Sequence, residues 1–500
     1  MFICKSTKDA ACAKSEFVYS SILKYCSSSS ETNCITGVQS FDAANNPTSG
    51  TFESYTVTNH INGYPADSKL GIPEGDMPSI WSIPSAPHAS GSDYAVVAGL
   101  AGSVNADGSA TRDGSIMAVS LIPVVLKDFG HSETSRLGFW GSSLKSVYYD
   151  GCGEVQQTPT QANIGCGHVN GSQCLLPTNS EGLCYAQEDF PTGFRYGVQL
   201  RLAKEPNGWL HGRMVDPNVS IAKDSLGGVD ISVVAGSTTI PMVYQGADWS
   251  VLPSPVQKFW VECMVGGEQC GPVGGGAGDS TNYWQESTTL AGNSKTNLIA
   301  SPYAFGKIAL AGVSAISPLV GNKSNATTTS WSFRTLSTAE MNGTDKCFTS
   351  TPGIKGIVTT NSTAYSAGPP AYSGGSLNYQ VASPHFNPDG TSPFKGNYNL
   401  VIRSDVARCI YGFSSAPISA SISILSSDGA NDVATTVAGE KNGWLSLSAN
   451  NFEFSSPVIK VKLTQVGAKP KPVTIKCVSG KVAKSVTSLT PKCPVGFTQQ

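Results

Sequence analysis

Arg195-Tyr196-Gly197-Val198-Gln199-Leu200-Arg201-Leu202 is the stretch on which the fold of this 500-residue chain turns. Tyr196, Val198, Leu200 and Leu202 alternate with Arg195, Gly197, Gln199 and Arg201. A period of two places one set on a buried face and the other in water, the signature of a strand. The pattern recurs outward along the chain. Tyr398, Leu400 and Ile402 alternate with Asn399, Val401 and Arg403; Ile418, Ala420, Ile422 and Ile424 with Ser419, Ser421 and Ser423; Ile459, Val461 and Leu463 with Lys460, Lys462 and Thr464. One wet face per strand is the habit of antiparallel sheets, not of parallel α/β sheets.

Turn chemistry agrees. Asn-Gly or Asp-Gly recurs from 62–63 to 442–443, and these dipeptides tolerate the positive φ that closes tight hairpins. Asp428-Gly429, between two alternating runs, predicts a hairpin. Helix is scarce: Ala13–Cys26 is expected to form one, with Val18, Ile22 and Tyr25 on a common face, and Tyr303–Ser317 is a weaker candidate. The fold class predicted is all-β, with two tandem antiparallel β-sandwiches and a small disulfide-stapled C-terminal hairpin. Glycine-rich Gly266–Gly278, Thr-rich Gly321–Ser330, Tyr365–Gly375 and Gly467–Pro472 read as loops or connectors. The domains expected are a cysteine-rich segment (1–38), a large β domain (39–345), a second sandwich (346–467) and a lysine-rich tail (468–500).

Fourteen cysteines accompany only 14% charged residues. They are Cys4, Cys12, Cys26 and Cys34; Cys152, Cys166, Cys174 and Cys184; Cys263 and Cys270; Cys347 and Cys409; and Cys477 and Cys493. An even count in Ser/Thr/Gly-rich sequence reads as disulfides, which persist in oxidising compartments. The location expected is therefore extracellular or at the cell surface. Met1-Phe2-Ile3-Cys4-Lys5 has neither the basic start nor the apolar run of a signal peptide, so this start is expected to be truncated from a longer precursor. Zinc is disfavoured because no CxxC pair occurs. No stretch of about 18 apolar residues offers a spanning helix. The net charge of −2 gives no global pull toward nucleic acid.

No residue pattern in the chain nominates a catalytic residue, metal ligand or cofactor. The histidines, at 60, 88, 131, 168, 211 and 385, show no helical metal spacing, and HExxH and GxSxG are absent. Gly278-Asp279-Ser280-Thr281 is the nearest thing to a nucleophile turn, and His211 with Arg213 and Asp216 is the most polar strand cluster, read as structural pairing. Nothing nominates a glycosidase carboxylate pair. Asn105-Ala106-Asp107-Gly108 with Asp113-Gly114 lacks the bidentate Glu of a calcium loop and reads as turns. Sequons stand at Asn170, Asn218, Asn322, Asn325, Asn342 and Asn361, as a Ser/Thr-rich composition readily produces. Tyr365 and Tyr372, in a Pro/Gly loop, are candidates for stacking on sugars.

An internal echo links Lys204-Glu205-Pro206-Asn207-Gly208-Trp209-Leu210 to Glu440-Lys441-Asn442-Gly443-Trp444-Leu445, a tight turn delivering a Trp into a sheet. The runs Tyr379–Phe386 and Arg403–Phe413, with Asn442-Gly443-Trp444-Leu445, resemble a module of large secreted proteins of Actinobacteria. Gly208–Pro217 is similar to a second motif of those proteins, and Thr474–Lys481 with Pro491–Phe497 to a C-terminal element of many exported actinobacterial proteins. The resemblance implies a cell-surface or released protein and carries over no catalytic residue. Independently, a bridge from Cys477 to Cys493 would close a loop of about 15 residues and contribute about 3 kcal/mol, which an element too small to build a core needs. Lys469, Lys471, Lys476, Lys481, Lys484 and Lys492 lie in the tail without an acidic residue. They suit either attachment to anionic cell-wall polymer or protection of exposed strands from aggregation. The function expected is a non-catalytic structural, adhesion or glycan-binding protein outside the cell, with an exported hydrolase of dispersed catalytic residues (glycosidase, esterase or peptidase) as the alternative.

Overall fold

The computed structural model describes residues 6–10, 16–57, 65–105, 116–128, 148–149, 155–156, 175–178, 183–224, 227–248, 253–254, 284–285, 295–300, 304–336, 341, 344–349, 352–415, 418–425, 431–432, 435–454, 458–465, 473–480, 482–488 and 491–499. The protein is all-β, and its sandwiches share a layer. The middle sheet runs, strand beside strand, Thr435–Lys441, Trp444–Glu453, Lys395–Arg403, Ile354–Thr360, Gly208–Arg213, Ala326–Thr335, Ile116–Asp128, Asp93–Val104, Ser79–Ser82 and Thr51–Tyr55. Residues on both sides of 345 thus build one continuous sheet. Neighbours are antiparallel except where Gly208–Arg213 runs parallel to Ile354–Thr360. These two strands are far apart in sequence, and parallel pairing requires such a crossover.

The second layer orders Val215–Lys223, Val229–Gly236, Arg195–Leu202, Cys34–Phe41 and Lys24–Tyr25. Its inward residues Val198, Leu200, Ile231 and Val233 meet Leu210, Phe333, Ile357 and Val401 of the middle sheet in one core. The third layer orders Ala304–Phe305, Ala364–Tyr365, Ser376–Ala382, Val458–Gln465, Ile418–Leu425 and Asn431–Asp432. There Leu377, Tyr379, Ile459 and Val461 meet Trp209, Val358, Leu400, Ile402 and Leu447 in a second core. Adjacent residues of one strand, Trp209 and Leu210 or Leu400 and Val401, therefore serve opposite cores.

That arrangement corrects the single wet face expected for Tyr398–Arg403. Asn399 is 1% and Val401 4% exposed, because the strand lies between two layers and not at a surface. Arg195–Leu202 and Val458–Gln465, in the outer layers, keep the alternation expected of them.

Other expectations are revised. The helix expected within Ala13–Cys26 is not formed: Phe17–Ile22 is a strand paired from Phe17↔Val104 to Ile22↔Gly99, and Lys24–Tyr25 adds to Cys34–Phe41. The long strand Asp93–Val104 pairs with Ser79–Ser82 only as far as Val96, and its remaining edge groups need partners. The aromatic and β-branched run Phe17-Val18-Tyr19 supplies them, overriding the helical spacing. Thr-rich Ala326–Ser330, expected within a connector, is a strand pairing with Thr238–Met242. The helix of the Tyr303–Ser317 region does form, as Lys307–Ile316. The strands flanking Asp428-Gly429 pair as a hairpin through Leu425↔Asn431, while the turn itself lies outside the described residues.

Three disulfides are Cys26–Cys34, Cys347–Cys409 and Cys477–Cys493, and Cys184 is also oxidised. Cys4, Cys12, Cys152, Cys166, Cys174, Cys263 and Cys270 lie outside the described residues. Bridges of this kind are stable in oxidising compartments. Among the described residues no helix is long and apolar enough to cross a membrane. The C-terminal element is a separate three-stranded sheet of Val482–Ser488, Val473–Ser479 and Thr498–Gln499, in which Cys477 is fully buried and Lys484 lies 5.0 Å over the Phe497 ring.

Candidate functional site

A groove of about 790 Å³ opens where several middle-sheet strands end together. Its size is that of a small-molecule or oligosaccharide site. Among the residues that line it are Glu205, Ile354, Arg403, Asp405, Arg408, Phe413, Glu440, Asn442 and Trp444.

Local structure fixes each of these side chains. Lys441 and Trp444 pair across a two-residue turn in which Asn442 and Gly443 have φ of 52° and 80°. Positive φ at both positions is what a type I′ hairpin needs, and Asn-Gly supplies it at least cost. The turn's Gly443 carbonyl accepts from the Ser404 amide at 2.8 Å, docking the hairpin on the start of the helix Ser404–Tyr411. Asp405 in the helix's first turn suits its positive end. Arg403 forks onto the Asp405 carboxylate at 3.0 and 2.6 Å and donates to the Pro352 carbonyl at 3.0 Å. Arg408 forks onto Glu440 at 2.7 and 3.0 Å and donates to the Ser414 carbonyl at 2.8 Å. Glu205 accepts from the Ile354 amide at 2.9 Å.

Both carboxylates in these forks are held ionised. The Arg408 bond lowers the Glu440 carboxyl below its ordinary value against a smaller upward push from burial. At Asp405 burial pushes upward, but the Arg403 fork and the Val406 amide together outweigh it and the net shift is down. Planar bidentate pairs are rigid as well as charge-assisted, so the groove wall is preorganised. Half-buried Trp444 and Phe413 add aromatic surface between these charges.

Lys355, next to Ile354, is buried and donates to the side-chain oxygen of Asn207. Burial first, and then the Arg403 charge, push its ammonium from 10.5 down to about 8, against the pull of Glu205. Above about 8 the folded chain releases this proton while the unfolded chain keeps it up to 10.5, so stability rises with pH across that window. The gain is at most about 3 kcal/mol. Lys355→Met is expected to flatten the alkaline rise in denaturant midpoints and to raise stability at neutral pH, where the burial cost of the charge is otherwise carried in full. An unchanged rise in the variant would assign it to another group.

The residues singled out from sequence fall elsewhere. His211 and Arg213 are 2% and 1% exposed, inside the third-layer contact. Arg334 Nε donates to His211 Nε2 at 3.0 Å, which leaves the ring proton on Nδ1, 2.7 Å from the Tyr365 hydroxyl. Burial, with Arg334 and Arg213 adding, drives the His211 value well below the ordinary one. Arg213 donates to the carbonyls of Thr360, Ser362 and Thr363 and stands 4.2 Å over the Tyr365 ring. Asp216 does not join them; it is exposed and accepts from Ser448 at 3.0 Å. The pairing read from sequence therefore joins His211 to Arg334 and Tyr365, and leaves Asp216 apart. Tyr365, 3% exposed beneath Arg213, is not the sugar-stacking residue expected, whereas Tyr372 is 39% exposed. Asn361 of the sequons is buried and bonded to Lys395 and Asn397. Gly278–Thr281 and most of the Asn105–Gly114 segment lie outside the described residues. Among the described residues no group of three or more metal-ligating side chains converges.

The groove's charged residues were not nominated from sequence, though the echo held two of them: Glu205 and Glu440 both line it. Trp209 and Trp444, the echo's tryptophans, enter the same sheet but face opposite cores. Comparison with family models, curated proteins and solved structures returned no match.

Proposed function

We propose that the chain is a surface-displayed or released binding protein whose groove at the end of the shared sheet takes a glycan, without covalent chemistry. The observation that carries this reading is the lining: half-buried Trp444 and Phe413 beside two locked guanidinium–carboxylate forks and the Asn442 amide. Aromatic faces pack against the apolar faces of sugar rings, and fixed polar groups read hydroxyls. Ionised Asp405 and Glu440 suit hydrogen-bond acceptance, not the proton donation a glycosidase acid performs. Disulfide-stapled sandwiches supply stiffness outside the cell, and the lysine-rich tail supports retention on anionic cell-wall polymer, in keeping with its resemblance to exported actinobacterial proteins.

The test is a glycan array and cell-wall pull-down with the purified chain and with Trp444→Ala. The wild type is expected to retain glycans, and the variant to lose about tenfold in affinity, about 1.4 kcal/mol. Absence of any retained glycan, together with turnover of an ester, peptide or glycoside substrate, would replace this reading with the hydrolase.

A further inference from the structure

Aromatic surface does not stop at the groove. Tyr411, the last residue of the helix Ser404–Tyr411, lies 5.1 Å from Phe413 between ring centres, and Tyr372 stands against Tyr411 at 4.8 Å. Tyr411 is fixed by its hydroxyl, which donates to the Val461 carbonyl at 2.9 Å. Tyr372, on the short strand Ala371–Ser373, is 39% exposed, one of few large apolar side chains so displayed among the described residues. The strand pairs with Ser376–Ala382 and its turn is held by the Asn378 amide, which donates to Ala371 and Ser373. Three rings in a fixed row therefore lead from open solvent to the groove wall.

The charge of the lining narrows the ligand. Glu205, Asp405 and Glu440 stand against Arg403 and Arg408, three carboxylates to two guanidiniums, so an anionic ligand gains nothing there. We infer that the groove and the Tyr372–Tyr411–Phe413 row together form an extended site for an uncharged oligosaccharide, with Tyr372 as the outer subsite. The inference rests on the glycan reading above and adds the length and charge of the ligand. Stacking is tolerant of sugar identity, so the row recognises chain length and the groove recognises the unit.

The experiment is calorimetric titration of wild type, Tyr372→Ala and Phe413→Ala with a length series of soluble neutral glucan and chitin oligomers and their carboxylated counterparts. Wild-type affinity is expected to climb with length and then level off. Tyr372→Ala should lose about tenfold for the long oligomers and nothing for the shortest, while Phe413→Ala weakens all lengths. An unchanged melting temperature for Tyr372→Ala, whose side chain lies at the surface, separates lost contact from lost fold. Glycan binding that is flat with length and indifferent to Tyr372, or tighter for the carboxylated series, overturns this inference and leaves the glycan reading standing. Failure of the wild type to bind any glycan overturns both.

Discussion

Trp209→Ala is expected to cost about 3–5 kcal/mol, read as a shift in denaturant midpoint. Trp209 is fully buried at the centre of the shared sheet, edge-on to Phe348 at 5.4 Å. Its partner across the parallel strand pair is Gly356, where a β-carbon would fall 2.4 Å from the indole and 2.6 Å from the Val401 carbonyl. Glycine is required there because the tryptophan occupies the space a side chain would take. Gly356→Ala should therefore be destabilising as well, and the double variant less so than the two shifts added, because the indole clash disappears when the indole does. Simple additivity would refute this packing. Trp209→Phe should cost far less than Ala: it retains ring volume and removes an indole N–H that is buried without a hydrogen-bond partner among the described residues.

The contrast between Trp209 and Trp444 shows where the sequence is informative. Asn442-Gly443 announces its hairpin because two adjacent positive φ values leave little choice of residue. Asn207-Gly208 carries the same letters, yet Gly208 opens a strand paired in parallel with Ile354, more than a hundred residues away in the chain. Local pattern specifies strand and turn; it does not specify the partner. The same limit explains Tyr398–Arg403, whose alternation is real but whose second face is covered by another layer. It explains Phe17–Ile22 too, where an unpaired edge decided between helix and strand.

The groove was hidden for a related reason. Glu205, Asp405 and Glu440 are unremarkable one at a time, and only the order of strands in the middle sheet brings them to one rim. Arg403 and Asp405 are close in sequence and their fork is local, but the Arg408–Glu440 pair spans a strand and a hairpin. What sequence did hold was the repetition of Glu shortly before Asn-Gly-Trp, which places one acid ahead of the strand that Gly208 opens and another beside the Asn442-Gly443 turn. Charge spacing along the chain says nothing of this until the sheet is assembled.

Replacing Cys347 and Cys409 together by Ala is expected to remove about 4 kcal/mol of stability, since their bridge closes a sequence separation of 62. The consequence for function is more specific. Cys409 belongs to the helix Ser404–Tyr411, which carries Asp405 and Arg408 into the groove and ends at Tyr411 of the aromatic row. Cys347 belongs to the short helix Lys346–Thr349 beneath it, beside Phe348 and Trp209 in the third-layer core. Without the bridge the helix keeps Ile410, Val406 and Ala407 as anchors, so it should dock but open more often. Amide exchange of residues 404–411 should quicken before that of Lys395–Arg403. Affinity for the long neutral oligomers should fall further than affinity for the shortest, because the row is displaced with the helix end. Reduction of the wild type should reproduce both effects. Equal exchange rates with and without the bridge would show that packing alone positions this wall, and the disulfide would then act only on the unfolded chain.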